Sequence, residues 1–290
     1  MRLIVAFSPG SALDGAARAL ARGAEKELGV DIIVQNTASG AGTTAVAQLA
    51  KARADGSCLA ACAGNALIFL PRRNPVSYDP LRDVEPLLVF GQASPVLVTR
   101  PDAPWRDMAS FLEATRKSRG SMRIGIPGLG SPSHTALVMM TAKDPSLSWR
   151  FIPFGGPGEA ETALLGGHVD AAASGALPRI RQGQLFPLMI LAGTRPVTLP
   201  QVPTLADGGF ADPGRGDASF FLLAPKNVPE ETLNRLCAAF EKAAGSEDFL
   251  KTLEHFSVAP VLKAREEAKA FLSEAWAEED ATLKAAGLSR

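Results

Sequence analysis

The sequence has few cysteines and few aromatic residues, and each shortage excludes a class of function. Its three cysteines, Cys58, Cys62 and Cys237, form no C-x-x-C pair and accompany no histidine cluster, so neither a disulfide framework nor a metal site is predicted. We interpret them as small buried apolar side chains. Aromatic residues make up 6% of the chain, with a single tyrosine, which is low for a carbohydrate-binding or base-stacking site.

The charge pattern and the absent motifs exclude further functions. Thirty basic and thirty acidic side chains cancel without a long run of either sign, so we expect no nucleic-acid partner and no membrane-surface partner. No apolar stretch reaches the roughly 18 residues of a membrane span. The phosphate-binding pattern G-x-x-x-x-G-K-[ST] is absent, and the loop at Gly128 lacks G-x-G-x-x-G spacing. No nucleotide or other cofactor is therefore predicted.

Short aliphatic runs alternate with amphipathic stretches along the chain, which predicts an α/β fold with mostly parallel sheets. The first such segment has a strand at 3–7, a turn at 8–11, a helix at 15–28 that stops at Gly29, and a strand at 32–34. A chain of 290 residues is long enough for two medium-sized domains. We therefore expect two lobes.

Two proline-bounded apolar segments, 87–99 and 220–224, interrupt this alternation and are predicted to be the crossovers between lobes. The first lobe is then discontinuous, with residues 1–95 plus 225–290, and the second holds residues 96–224. The C-terminal stretch 263–283 has an apolar stripe and predicts an amphipathic surface helix.

Two loops are candidates for binding an anion, because each precedes a helix whose first backbone amides have no partner within the helix. Neither loop contains arginine or lysine, so amides, hydroxyls and ordered water would hold the anion. The first loop consists of Ser8, Pro9, Gly10, Ser11, Ala12, Leu13 and Asp14. The second spans 127–134 and contributes Gly128, Ser131, Ser133 and His134.

Each loop also has a purely structural interpretation, in which its glycines form a turn and its serine caps a helix. Ser11 and Asp14 match the S-x-x-D capping box, so Asp14 either fixes the helix end or contacts ligand. An ionised Asp14 that faced the pocket would repel a carboxylate. His134 is either a hydrogen-bonded structural residue or part of the pocket.

Two rival functions share these residues or this architecture. A serine hydrolase would use Ser131 or Ser133 with His134 and an acid such as Asp170, but no G-x-S-x-G elbow is present and adjacent positions on a helix point in different directions. We therefore expect no enzymatic activity. A cytoplasmic ligand-sensing domain of a regulator has the same architecture, but no separate DNA-binding helical segment flanks the predicted lobes.

Several motifs in order give a specific resemblance. Residues 5–14, Asn36 with 40–42, and 128–134 resemble motifs of the substrate-binding proteins of tripartite tricarboxylate transporters, the Bordetella uptake gene (Bug) family. The resemblance covers nearly the whole chain, with further matches at 153–156, 164–170, 180–185 and 199–204.

This resemblance implies a two-lobed type II periplasmic-binding fold whose cleft closes by a hinge on a small organic carboxylate and passes it to a membrane permease. The chain begins on an apolar strand without a basic leader, so either the protein is cytoplasmic or a signal peptide has been removed. The resemblance implies the second, and so a periplasmic protein. We expect a monomer. In the first loop Ser8, Ser11 and Leu13 replace a proline, a glycine and a threonine, which leaves open whether a di- or tricarboxylate, an amino acid or an aromatic acid is bound. The remaining candidate ligand-binding residues are Asn65, Phe154, Gly155 and Ser174.

Overall fold

A computed structural model describes residues 1–192, 195–196, 198–210, 218–256 and 258–285, with side chains described as far as residue 279. The described residues divide into two compact units, 1–93 with 218–279, and 94–210 with 280–285. Positions 193, 194, 197, 211–217, 257 and 286–290 of the predicted lobes lie outside the described residues.

Strands and helices alternate along most of the chain. The described residues form twelve strands: β1 Arg2–Val5, β2 Ile33–Asn36, β3 Cys58–Ala63, β4 Val84–Ala93, β5 Val96–Thr99, β6 Arg123–Ile126, β7 Arg150–Pro153, β8 Ala171–Ser174, β9 Phe186–Ile190, β10 Ser219–Pro225, β11 Val258–Ala259 and β12 Lys263–Ala264. They also form ten α-helices: α1 Ala12–Leu28, α2 Thr43–Ala50, α3 Phe69–Arg73, α4 Met108–Ser118, α5 Pro132–Lys143, α6 Pro157–Leu165, α7 Leu177–Arg181, α8 Glu230–Ala244, α9 Glu247–His255 and α10 Arg265–Ala285.

The two sheets have corresponding strand orders. The first unit has the order β11-β4-β10-β3-β1-β2, with β12 also on β4, and the second has β7-β6-β8-β5-β9. In the first sheet β1 is parallel to β2 and β3, while β10 is antiparallel to both neighbours. In the second sheet β6 is parallel to β7 and β8, while β5 is antiparallel to both neighbours. Each sheet is therefore mixed, with β10 and β5 inserted antiparallel. The strands on either side of each inserted strand have the same direction, which agrees with the predicted α/β fold of mostly parallel sheets.

The strand Ser219–Pro225 corrects the predicted lobe boundary. It pairs with β3 and β4, so it belongs to the first unit, whereas the prediction placed residues as far as 224 in the second lobe. Conversely, residues 280–285, the end of α10, are grouped with the second unit rather than with the first. The apolar run at 219–225 predicts a strand but does not indicate its lobe, because the strands that pair with it are distant in sequence.

Helix α1 illustrates how local sequence and packing agree. Ser11 caps its start in an extended conformation, and Gly29 ends it in the left-handed region at φ 68°, where its amide donates to the carbonyl of Glu25. Its buried face packs closely on α8, since a Cβ added at Gly23 would lie 2.6 Å from the Cβ of Ala243. This packing fixes the helix whose N-terminus follows β1.

All three cysteines are free and buried, as the sequence interpretation stated. Burial raises the pKa of the Cys62 thiol, which keeps that thiol protonated and unreactive. Among the described residues, no helix combines the length and apolar character needed to span a bilayer. In the same part of the chain, no group of three or more histidine, cysteine, aspartate or glutamate side chains is arranged to hold a metal ion.

Candidate functional site

The candidate residues of the first unit gather at one edge of its sheet. The loop 8–11 follows β1 and Asn65 follows β3, and these strands are parallel neighbours in which Val5 pairs with Ala61. The glycine turn after β2 closes the group, because a Cβ on Gly42 would lie 3.2 Å from the Cβ of Ala66. Asn65 is fully buried and donates from Nδ2 to the carbonyl of Ala41 at 3.0 Å.

The first loop is held by a variant of the predicted capping box. Ser11 Oγ accepts from the amide of Asp14 at 3.2 Å, as a helix cap does. The Asp14 carboxylate does not return to the Ser11 amide; Oδ2 accepts from the amide of Gly10 at 2.9 Å. Gly10 has φ 80°, a conformation that suits glycine and that turns its amide toward the helix.

The remaining oxygen of Asp14 is also engaged. Oδ1 accepts from Arg18 Nε at 2.9 Å and from Asn36 Nδ2 at 2.8 Å, and the residue is 3% exposed. Burial alone would raise the pKa of Asp14, but the hydrogen bonds from Arg18, Asn36 and Gly10 outweigh it and lower the pKa below its ordinary value. Of the two predicted roles, this geometry favours holding the loop, and the sequence prediction omitted Arg18 and Asn36 from the site.

The second loop repeats this arrangement with a different side chain. Ser131 Oγ accepts from the amide of His134 at 3.3 Å, and His134 Nδ1 accepts from the amide of Gly130 at 2.8 Å. Gly130 has φ 77°, close to the value at Gly10. Because Nδ1 is the acceptor, the neutral imidazole carries its proton on Nε2.

His134 is held neutral by its surroundings. Its ring meets the ring of Phe151 edge to face, with centroids 4.7 Å apart. Burial lowers the pKa of His134 to about 4. His134 is therefore a hydrogen-bonded structural residue that also lies in the candidate loop.

A further loop, at 154–156 in the second unit, has the same hydrogen bond from a glycine amide to a side chain of the following helix. The amide of Gly155 donates to Glu159 Oε2 at 3.0 Å, so again a glycine before the cap is bound by the third residue of the helix. Phe154 and Gly155 follow β7, and β7 is parallel to β6, with Ile126 opposite Pro153. The candidates at 128–134 and 154–155 thus lie at the same edge of the second sheet. The sequence analysis missed Glu159, although it follows Gly155 by four residues, as Asp14 follows Gly10 and His134 follows Gly130.

Ser174 lies at the end of β8 and anchors the next turn. Its Oγ accepts from the amide of Ala176 at 3.2 Å and is hydrogen-bonded to Glu161, which pairs with Arg179 at 3.0 Å. Burial raises the pKa of Glu161 despite these two partners. Ser174 is 1% exposed, so its observed role is to fix the strand end.

The first turns of α1 and α5 leave backbone amides available. In the described part of the chain, no hydrogen bond is donated by the amides of Ala12 and Leu13 or by that of Ser133. Pro132, at the first position of α5, has no amide hydrogen to donate. The partial positive charge at the N-terminus of each helix adds to the effect of these donors, so each loop favours a bound anion.

The hydrolase alternative lacks its acid. Asp170 accepts from the Arg123 guanidinium at 2.8 Å and from the Arg123 amide at 2.8 Å, at the points where β8 and β6 begin. His134 follows the opposite, carboxyl end of β6. Since parallel strands separate the two, Asp170 does not orient His134, whose Nδ1 is bound by Gly130 instead.

Two α/β units, each with helix starts at the carboxyl ends of its parallel strands, define the class of solute-binding proteins. The chain belongs to the tripartite tricarboxylate transporter receptor family, whose model matches residues 16–288. It is 30% identical to a UPF0065 protein encoded in the gbd 5′ region of Cupriavidus necator, over all of this chain and 88% of that protein. It is 28% identical to protein BugT of Bordetella pertussis, over 94% of this chain and 85% of BugT.

Solved structures agree with this assignment. A periplasmic transporter shares 26% identity with a TM-score of 0.88, over all of this chain and 97% of that one. MatC from Rhodopseudomonas palustris, solved with bound malate, has 24% identity and a TM-score of 0.86, covering 97% of this chain and 98% of MatC. Another R. palustris protein, solved with adipate, has 23% identity and a TM-score of 0.85, covering 100% and 97%.

The resemblance to Bug-family receptors and the two-lobed type II fold are therefore confirmed. Receptors of this family are periplasmic solute-binding proteins and are not enzymes, and this family membership confirms the prediction that the chain is not an enzyme. The candidate ligand contacts themselves stay predictions.

Proposed function

We propose that this protein is a periplasmic receptor that closes by a hinge on a small organic carboxylate and delivers it to the membrane permease of a tripartite tricarboxylate-type transporter. In this proposal the loops at Ser11 and Ser131 both contribute ligand-binding amides, and the receptor acts as a monomer. A ligand with higher affinity for the closed form shifts the population toward it, and the permease then recognises that form.

The observation that carries the proposal is the set of unpartnered amides at Ala12, Leu13 and Ser133. Three N–H donors at two helix starts suit a carboxylate, because charge-assisted hydrogen bonds to an anion are the strongest that a neutral donor makes. Asp14, in the first turn of α1, is paired with Arg18 at 2.9 Å and so does not present an uncompensated negative charge. Malate and adipate, bound by the two R. palustris proteins, are both dicarboxylates and support this ligand class.

Thermal shift tests the ligand class. A carboxylate present at 100 times its Kd stabilises the folded protein by about 2.7 kcal/mol, which raises Tm by roughly 5 °C or more. Malate and adipate are the first probes, and their diamides are matched neutral controls that should leave Tm unchanged. Equal shifts with acids and diamides, or no shift with any member of a panel of di-, tri- and aromatic carboxylates, would contradict the proposal.

Replacing Ala12 with proline removes one amide donor and leaves the helix intact. Proline suits the first helical position, and Ser11 already has the extended conformation, φ −70° and ψ 161°, that a residue before proline requires. We expect affinity for the bound carboxylate to fall about tenfold, the value of one lost hydrogen bond, with Tm nearly unchanged. Isothermal titration calorimetry with a paired thermal melt measures both.

Glu247→Pro is the matched control for this change. Glu247 is the first residue of α9, and its capping residue Ser246 has φ −73° and ψ 147°, nearly the conformation of Ser11. The control should bind carboxylate as the wild type does. Unchanged affinity in both variants would remove the Ala12 amide from the ligand site.

Delivery and location need tests in cells. We expect fractionation of cells that produce the precursor to place the mature protein in the periplasm, whereas the ligand-sensing alternative places it in the cytoplasm. Deleting the partner permease should abolish receptor-dependent carboxylate uptake while leaving the purified receptor's affinity unchanged.

A further inference from the structure

Asn36, the last residue of β2, joins the two ends of the first loop. Its Nδ2 donates one hydrogen to the carbonyl of Phe7, just before the loop, at 2.8 Å. The same nitrogen donates to Asp14 Oδ1, in the first turn of α1, also at 2.8 Å. One amide side chain from a neighbouring strand therefore sets the distance between the strand end and the helix start.

Asp14 then passes this constraint to the middle of the loop. It receives the Asn36 amide and the Arg18 Nε on one oxygen and the Gly10 amide on the other. Three donors converge on one side chain, and only a carboxylate, which accepts on both oxygens and donates on neither, satisfies them all. The fixed Gly10 in turn determines where the next amides, those of Ala12 and Leu13, point.

Arg18 closes the network and balances its charge. It donates from Nε to Asp14 at 2.9 Å and from Nη2 to the Oδ1 of Asn36 at 3.0 Å. Its side chain is 41% exposed, whereas that of Asp14 is 5% exposed, so the buried negative charge is neutralised from the surface. Without the guanidinium, a buried carboxylate would face the same small region as an incoming anion.

We infer that Asn36 and Arg18 are positioning residues of the receptor, which act through Asp14 to hold loop 8–13 so that its amides of Ala12 and Leu13 meet a carboxylate. The geometry behind this inference is the closed ring of hydrogen bonds from Phe7 through Asn36 and Asp14 to Gly10. Asp14, whose two oxygens both accept hydrogen bonds from within the protein, acts in the same way. The inference rests on the proposed carboxylate binding.

Asn36→Ala tests the ring directly. Site-resolved amide exchange should show Gly10 losing protection while the amides of β3 keep theirs, and affinity for the carboxylate selected by thermal shift should fall about tenfold. Gln35→Ala, on the exposed face of the same strand, is the matched control and should change neither quantity. Uniform loss of protection across the first unit, or an unchanged Gly10 amide, would overturn the inference.

Arg18 is tested by a charge-conserving pair of variants. Arg18→Gln should lower the affinity for a dicarboxylate at least about tenfold, whereas Arg18→Lys, which keeps a cation beside Asp14, should stay within about threefold of the wild type. Equal affinity of the two variants would show that the charge of Arg18 plays no part.

Carboxylate binding by the wild type and the positioning role of Asn36 can be disproved separately. A wild type that binds no carboxylate in the panel removes the proposed function, yet the Gly10 exchange measurement on the free protein still decides whether Asn36 holds the loop. A wild type that binds, with Asn36→Ala binding equally well and Gly10 still protected, removes the inference alone.

Discussion

Glu85→Ala is expected to lower the free energy of unfolding by about 3 kcal/mol, because it removes the buried anion that joins α10 to the first sheet. Glu85 lies on β4 and is 3% exposed. It accepts from Lys226 at 2.6 Å, just after β10, and from Arg265 at 2.9 Å, at the start of α10, and it pairs with Lys269 at 2.6 Å. The alanine variant leaves the 15% exposed Arg265 side chain with only two surface partners, Glu230 and Glu266. Urea unfolding measures the loss.

Glu230→Ala is the matched control for Glu85→Ala. Glu230 also pairs with Arg265, but it is 66% exposed, so its loss should cost much less than the loss of Glu85. Equal costs for the two variants would contradict the burial argument.

The same cluster predicts an acid limit for the wild type. Burial of Glu85 opposes ionisation, yet the hydrogen bonds from Lys226, Lys269 and Arg265 lower its pKa to about 2. Because this folded-state pKa is below the unfolded value of about 4.5, the stabilisation is complete above pH 4.5 and is lost as the pH falls toward 2. Glu85→Gln should remove this part of the pH dependence.

Local signals in the sequence predicted most of the secondary structure. The serine cap and the terminal glycine of α1 are visible as residue types, and the strand Cys58–Ala63 is a continuous apolar run between turn residues. Strand direction was not predictable in this way. Strand β10 inserts between β3 and β4 in the antiparallel sense, and its apolar run carries no sign of that orientation or of the lobe to which it belongs.

In the candidate site, too, contacts between neighbours in sequence were predictable and contacts made by the fold were not. Residues that lie within one loop, such as Ser11 and Ser131, could be predicted because a cap and its helix are adjacent in sequence. The pairing of Arg18 with Asp14 could also be predicted, because the two residues are four apart on α1. Asn36 could not be assigned to Asp14, because its contact depends on β2 lying beside β1. Asn36 was visible in a family-like motif, but the motif did not indicate which residues it contacts.

Acidification should destabilise the wild type by about 2 to 3 kcal/mol more than it destabilises a His134→Asn variant. The folded-state pKa of His134 is about 4, below the ordinary 6.5, so between these values the unfolded chain takes up a proton that the folded protein refuses. The stabilisation is therefore complete above pH 6.5 and is lost as the pH falls through 4. Urea unfolding of both proteins at pH 7, 5.5 and 4 gives the difference curve.

Asparagine is chosen because its Oδ1 occupies nearly the position of His134 Nδ1 and can accept the Gly130 amide without titrating. Other acidic groups contribute equally to both proteins and cancel in the difference. His134→Ala, by contrast, leaves the Gly130 amide without its acceptor and should be destabilised by about 1 to 2 kcal/mol already at pH 7. Parallel curves for the wild type and His134→Asn would show that the imidazole gains its proton as readily in the folded protein as in the unfolded chain. The second loop would then not depend on a neutral histidine.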